Sequence, residues 1–305
     1  LLTLYAWPRS FADPHIATIQ WNAIQSWLRL EPRPAVILFG NEEGVAETCS
    51  KLGLIHLPLP RSAAPESTPL SHLATQAERV NRTLFYGFTN SDILLTNSLM
   101  NALPVIRAKT PRFLLGVRPW DVNVTKRLDF GPGWEAELDR LVEAGNHLRE
   151  RHSADLFVYP RGFLQSAPEV VAGRYYVDNA LMWWTRRQKA WLIDGTPGIL
   201  TCHQNHPYSH LGELRFSQHE TPGAHWNLQC VGGKMHLFTL ANATHHYTGE
   251  SLRRYVVGTL CRWSPHPQAS RSLYLLTRAL EISTHPFRRA LGMATPLTTL
   301  NSRSR

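Results

Sequence analysis

The chain is short of the features that usually announce a function. Its four cysteines, Cys49, Cys202, Cys230 and Cys261, form no C-x-x-C pair, which removes a zinc ribbon and a thioredoxin-like redox motif. Nowhere do about 18 uncharged apolar residues run together, so no membrane-spanning helix is legible. Basic residues outnumber acidic ones, 32 to 23, for a net charge of +9. They stand singly or in pairs, as at Arg186-Arg187 and Arg253-Arg254, and a nucleic-acid partner, which favours a concentrated basic stripe, is set aside. An anionic small substrate or an anionic membrane face suits scattered charge. The phosphate loop G-x-x-x-x-G-K-[ST] is missing, because Gly232-Gly233-Lys234 has neither the first glycine nor the Ser/Thr. There is no G-x-G-x-x-G after the first apolar segment, against a dinucleotide fold, and no G-x-S-x-G elbow. Asp129-Phe130-Gly131 matches the kinase triplet in letters alone and reads as a turn. No repeat or low-complexity segment is visible.

What is present supports a sizeable core: 43% hydrophobic residues, with ten Trp and eleven Phe, enough for an aromatic-lined cleft as well as packing. Sequons at Asn81, Asn123 and Asn242 raise a lumenal reading slightly. A chain that opens on Leu1 reads as a fragment whose targeting segment or membrane anchor precedes it, leaving open a membrane-associated cytoplasmic protein or a lumenal Golgi one.

The first two-thirds of the chain alternates strand and helix signals. An apolar strand is expected over Leu1–Tyr5. Asp13-Pro14 opens a helix, with proline in its favoured first turn and Ile16, Ile19, Ala23, Ile24, Trp27 and Leu28 at helical spacing. Ala35–Phe39 is a continuous apolar run of the kind buried on both faces. A helix over Glu43–Leu52 ended by Gly53, a strand over Leu54–Leu59, a proline-rich loop over Pro60–Pro69, a helix over Leu70–Val80 and a strand over Leu84–Phe88 follow. This order predicts an α/β fold, with a mostly parallel central sheet and helices on both faces. Ligands in such sheets bind beyond the carboxyl ends of the strands, which points to Trp7–Arg9, Asn41-Glu42 and Thr89–Asp92. After Arg112 the pattern loosens. Strands are expected at Phe113–Val117, Leu156–Tyr159, Trp191–Ile193, Ile199–Thr201 and Met235–Leu240. Helices are expected at Trp134–Leu148, Asp178–Lys189 and Arg271–Ile282. A His-rich loop is expected from His203 to His225, and a frayed tail from Thr295.

Three features carry chemistry. Asn90-Ser91-Asp92 directly follows a strand, where Asp92 and a diphosphate can share Mn²⁺ or Mg²⁺; a polar turn is the plainer reading. Asp178-Asn179 opens a helix, so Asp178 is an N-cap, a general base, or both. Cys202-His203-Gln204-Asn205-His206, with Tyr208 and His210 near, offers imidazoles at i, i+3 and i+7. These suggest a zinc site, a polar surface loop, or one histidine completing the coordination begun by Asp92. Pro207 disfavours one helix holding all three histidines.

The ordered set resembles the nucleotide-diphospho-sugar glycosyltransferases of the GT-A type, in particular a family-2-like group found largely in bacteria. The stretches that carry the resemblance are Asp13-Pro14-His15-Ile16 with Asn22 to Trp27, Val36 to Gly44, Asn90 to Leu94, Leu128 to Trp134, Ala154 to Val158, His203 to His206 with Tyr208 to His210, and Ala243-Thr244-His245. It spans about residues 1–250, implying a catalytic domain there and a C-terminal helical extension over 251–305. By position it makes Asp92 a metal ligand, His203 or His206 the late metal ligand, and Asp178 the base. It places Asn41 or Glu42 near the nucleotide base, Asn90 on the donor and Asp155 at the sugar end. Asn90 stands where many members have Asp and adds no charge. The implied cofactor is Mn²⁺ or Mg²⁺. The implied partners are a UDP- or GDP-sugar donor and a glycan, glycoprotein or lipid-linked acceptor, and an Asp base implies inversion by a single displacement. A metal-dependent hydrolase built on the His203–His210 loop, and a glycan-binding protein that keeps the fold without turnover, are the competing readings.

Overall fold

A computed structural model describes residues 1–59, 68–145, 147–206 and 220–255. Most of the Pro60–Pro69 loop, Tyr208, His210 and the rest of the His-rich loop to His219, and the expected helix over Arg271–Ile282 lie outside the described residues.

The strands are β1 (Leu2–Ala6), β2 (Ala35–Phe39), β3 (Ile55–Leu57), β4 (Phe85–Thr89), β5 (Ile93–Leu95), β6 (Phe113–Val117), β7 (Trp120–Val122), β8 (Leu156–Pro160), β9 (Trp191–Asp194), β10 (Thr201–Gln204), β11 (His245–Tyr247) and β12 (Leu252–Arg254). The helices are α1 (Pro14–Trp27), α2 (Val45–Leu52), α3 (Leu70–Val80), α4 (Ser98–Arg107), α5 (Trp134–Gly145), α6 (Val177–Arg187) and α7 (Pro222–Cys230). Nine strands form the central sheet in the order β12-β11-β9-β6-β8-β4-β1-β2-β3. All neighbouring pairs are parallel except those made by β8 with β4 and β6, and by β12 with β11. The compact unit runs from Leu1 to Tyr255 and so includes β12.

The apolar runs become strands covered on both faces because alternate side chains point to opposite sides. On one face Tyr5, Ile37, Phe39, Tyr86 and Tyr159 pack against Leu73 and Ala77 of α3 and Leu181 and Trp184 of α6. On the other Leu4, Val36, Leu38, Phe113 and Val158 pack against Ile24 and Trp27 of α1 and Leu99 and Leu103 of α4. The expected α/β fold, with helices on both faces of a mostly parallel sheet, is the one observed. Asp13 caps α1 as its position predicted, accepting from the backbone N–H of His15 at 2.8 Å and of Ile16 at 3.0 Å.

Three local expectations fail. Met235–Leu240 is not a strand; short 3₁₀ turns occupy Lys234–His236 and Leu240–Asn242. The strand expected at Ile199–Thr201 lies instead over Thr201–Gln204, so His203 belongs to a strand and not to a loop. Asp178 is not the cap of α6: Tyr176 holds the cap position with φ 71°, and Asp178 sits in the first turn. A second, three-stranded sheet, β5-β10-β7, was not foreseen. Its strands are three or four residues each, too short for a periodicity to show.

Candidate active site

The parallel strands present their carboxyl ends at one edge, and antiparallel β8 brings its amino end there too: Thr89 of β4 lies opposite Leu156. Asn90 and Asp155 therefore meet just beyond the sheet. The Asn90 backbone N–H donates to the Asp155 carbonyl at 3.2 Å and its side-chain amide to Asp155 Oδ1 at 2.8 Å. Asp92 follows within the same turn, immediately before β5.

The small sheet supplies the histidines. β10 runs between β5 and β7, with His203 in register with Ile93 on one side and Asp121 on the other. This strand is tied to α1 through buried Gln204, whose amide donates to the Ile19 carbonyl at 2.8 Å and whose oxygen accepts from Asn22 at 3.0 Å. Asn22 also accepts from the Leu128 N–H at 3.0 Å, and Gln20 accepts from Ser91 at 2.8 Å. Stretches far apart in the sequence thus close into one buried polar frame beneath Asp92.

Asp92, His203 and His206 each offer a ligand atom, and the three atoms lie within 4.8 Å of one another. Asp92 Oδ2 is 3.1 Å from His206 Nε2 and 3.5 Å from His203 Nε2. Two donors each about 2.1 Å from one ion are separated by roughly 3 to 4 Å, so both contacts have the span of a shared cation. Asp92 Oδ1 is buried with no hydrogen-bond partner, an arrangement that is costly for a carboxylate unless a cation meets it. One carboxylate and two imidazoles suit Mn²⁺ or Zn²⁺. The residues fit a divalent metal.

Asp121 and Arg149 surround this group and were not anticipated. The Asp121 carboxylate accepts from His203 Nδ1 at 3.0 Å, from Arg149 Nε at 2.8 Å and from His147 Nδ1 at 2.7 Å. Asp121 is an acceptor, so this contact places a proton on His203 Nδ1 and leaves Nε2 facing Asp92. Arg149 reaches Asp155 Oδ2 at 3.3 Å, and its Nη2 lies 2.8 Å from His203 Nδ1, where two donors meet and the Arg149 charge opposes that of the ring. These residues arrive because segment 147–149 runs alongside β7: the Asp121 N–H donates to the His147 carbonyl and the Arg149 N–H to that of Pro119. No sequence motif marks Asp121, which lies between Trp120 and Val122 in an unremarkable polar stretch.

Electrostatics bind the cluster together. Burial opposes the charge on Asp92, but hydrogen bonds from His203 and His206 outweigh it and hold the carboxyl well below its usual range. Burial likewise works against ionised Asp121, and its bonds to His203 and Arg149 reverse the balance. For His203 burial favours the neutral ring, yet the bonds to Asp121 and Asp92 prevail and push it up to about 10. Asp178 behaves differently. Burial, then the charge of Asp155, raise it well above the usual carboxyl range, against one backbone hydrogen bond from Ala154. A carboxylate raised toward neutrality is a stronger base.

The structure thus gathers Asn90, Asp92, Asp155, Asp178, His203 and His206 about one place. Glu42 and Asn41 stand farther along the same edge, after β2. Glu42 Oε1 accepts from Trp7 Nε1 at 2.7 Å, while its Oε2 is buried without a partner. The turn at Gly40 (φ 106°) makes this possible, since a side chain there would collide with both Trp7 and Glu42. The Asn41 amide donates to the Leu59 carbonyl.

No family model matches the sequence, and no curated protein does. Solved structures are similar in part. One is glucosyl-3-phosphoglycerate synthase from Mycobacterium tuberculosis, in complex with Mn²⁺, UDP and phosphoglyceric acid, at 14% identity over 76% of this chain and 79% of that one, with a TM-score of 0.45. The same enzyme with Mn²⁺, UDP and glucosyl-3-phosphoglycerate gives 14% identity over 83% and 86%, with a TM-score of 0.46. S. aureus TarS 1-349 in complex with UDP-GlcNAc gives 10% identity and a TM-score of 0.31, over 42% of this chain and 37% of that one.

Proposed function

We propose that the chain is a metal-dependent glycosyltransferase of the GT-A type, moving a sugar from a nucleotide-diphosphate donor, UDP- or GDP-linked, to an acceptor hydroxyl. The observation that carries this reading is the Asp92–His203–His206 ligand group at the carboxyl edge of a parallel sheet, with a second, proton-accepting carboxyl beside it. Asp92, His203 and His206 would hold Mn²⁺, for which two imidazoles are better ligands than for Mg²⁺, and which when bound neutralises the diphosphate as it leaves. Asn90 and Asp155 would meet the donor ribose and sugar, and Asn41 and Glu42, the latter with a carboxylate oxygen lacking a partner, the nucleotide base.

Asp178 takes the proton of the acceptor hydroxyl. The acceptor oxygen then bonds to the anomeric carbon while the bond from that carbon to the diphosphate oxygen breaks, releasing the nucleoside diphosphate. One displacement inverts the anomeric centre. The acceptor is a glycan, glycoprotein or lipid-linked hydroxyl.

Calorimetric titration of UDP and GDP with and without Mn²⁺ tests the proposal. Binding is expected to require metal and to vanish in Asp92→Ala. Equal nucleotide affinity for wild type, variant and EDTA-treated protein would sink it. Two imidazoles and a carboxylate are also the ligand set of a hydrolytic zinc centre. One zinc per chain surviving dialysis, with hydrolysis needing no nucleotide, would favour that second reading.

A further inference from the structure

The edge of the central sheet opposite Asp92 carries a second feature. An open basin of about 560 Å³ is lined by Thr75, Glu78, Arg79, Arg82, Arg161 and Gln165. The three arginines come from different segments: the last turn of α3, the α3–β4 connection and the residue after β8. They are exposed, and none of their guanidinium groups makes a hydrogen bond or ion pair with the described residues.

Glu78 does not serve as their counter-ion by contact. It is 3% exposed, and its two oxygens accept from the Gly162 N–H at 2.9 Å and the Gln165 amide at 2.8 Å. Three like charges around one concavity repel one another and attract anions. Arginine's planar fork suits phosphate oxygens in particular.

The rim is apolar. Val80 is 47% exposed and Leu84 45%, two of only four large hydrophobic side chains exposed among the described residues. They alternate along the chain with Arg79 and Arg82, and the Leu84 carbonyl accepts from the Arg161 N–H at 3.0 Å. A site for a free phosphate has no use for exposed aliphatic side chains. A bilayer surface uses both, taking Val80 and Leu84 into its interface and the arginines onto lipid phosphates.

We propose that this basin docks the protein onto an anionic phospholipid surface, with a headgroup phosphate seated among Arg79, Arg82 and Arg161. Because β1 and β4 run from this edge to the other, docking turns the Asp92 edge away from the lipid and toward the aqueous phase. The surface is independent of what that edge catalyses.

Cosedimentation of the full chain with vesicles of phosphatidylcholine mixed with phosphatidylglycerol, against phosphatidylcholine alone, tests the proposal. Binding is expected to the mixed vesicles only, and to weaken with salt. Each arginine replaced by glutamine should lower the partition coefficient roughly fivefold, and Arg79→Gln/Arg82→Gln/Arg161→Gln about a hundredfold. Val80→Ser/Leu84→Ser should also weaken binding, at unchanged charge. Circular dichroism checks that the variants are folded, and Arg161→Gln alone serves if the triple variant is not. Absence of vesicle binding, equal binding by wild type and arginine variants, or calorimetric binding of pyrophosphate without vesicle binding would each overturn the proposal, the last in favour of a soluble phosphate ligand.

Discussion

Asp121 offers the sharpest test of how the site is built, because it should act on the metal without touching it. Its Oδ1 sits 3.0 Å from His203 Nδ1, and that bond decides which ring nitrogen is left to face Asp92. Carboxylates behind a ligating imidazole fix its tautomer and raise its basicity. Asp121→Asn keeps the shape and removes the charge. The amide can rotate to offer N–H to His203 Nδ1, which then loses its proton there and carries it on Nε2, the nitrogen the metal needs. The loss expected for such a partner is about 10- to 100-fold in metal affinity, or roughly 1.4 to 2.8 kcal/mol. Asp92→Ala, which removes a proposed ligand, should abolish binding. Asp121→Ala should fall between wild type and Asp121→Asn, since it leaves the ring unoriented without misdirecting it. Calorimetry with Mn²⁺ at constant pH measures all three, and ¹⁵N chemical shifts of the His203 ring report the tautomer without any catalytic readout. Wild-type Mn²⁺ affinity in Asp121→Asn, or a His203 ring that lacks a proton on Nδ1 in the native protein, would refute the assignment.

Asp178→Asn should lower transfer by about 10²- to 10⁴-fold, the usual range for losing a general base, with donor affinity little changed; near-normal turnover would remove Asp178 from the role. Burial first, then the charges of Arg254 and His246, hold His245 down to about 4. Its folded value lies below the unfolded one of about 6.5. The stability this group contributes is therefore present above pH 6.5 and lost as pH falls toward 4. Urea melts over that range should show the slope, and His245→Gln should flatten it; an unchanged slope refutes the assignment. Trp27 is fully buried and its indole N–H donates to the Ile93 carbonyl at 2.8 Å, beside Asp92. Trp27→Phe leaves that carbonyl unpaired and should cost about 1 to 3 kcal/mol by denaturant unfolding, a value near zero refuting the bond's importance.

Much of the fold was legible along the chain. Ala35–Phe39 reads as a doubly buried strand because its five residues have no polar side to turn outward. Asp13-Pro14 reads as a helix start because its two residue types answer local needs of the first turn. The α/β class, and the edge to which Asp92 and Glu42 belong, follow from such local signals taken in order. So does the candidacy of His203 and His206 beside Asp92, once their order resembled that of the GT-A enzymes.

Tertiary structure alone decided the rest. That β8 runs antiparallel, carrying Asp155 to the Asn90 edge, depends on pairing with β4 and β6, residues about 40 to 75 positions away. The small sheet β5-β10-β7 has strands too short to show a period, and it exists only because distant segments complete one another's hydrogen bonds. Asp121 and Arg149 join the site through that sheet and its neighbouring segment, so no spacing could have named them. The raised carboxyl of Asp178 is likewise a property of burial beside Asp155, which is set by where α6 packs and not by the residues on either side of it. Local chemistry chooses the elements; the charge and proton each side chain holds are chosen by what long-range packing sets against it.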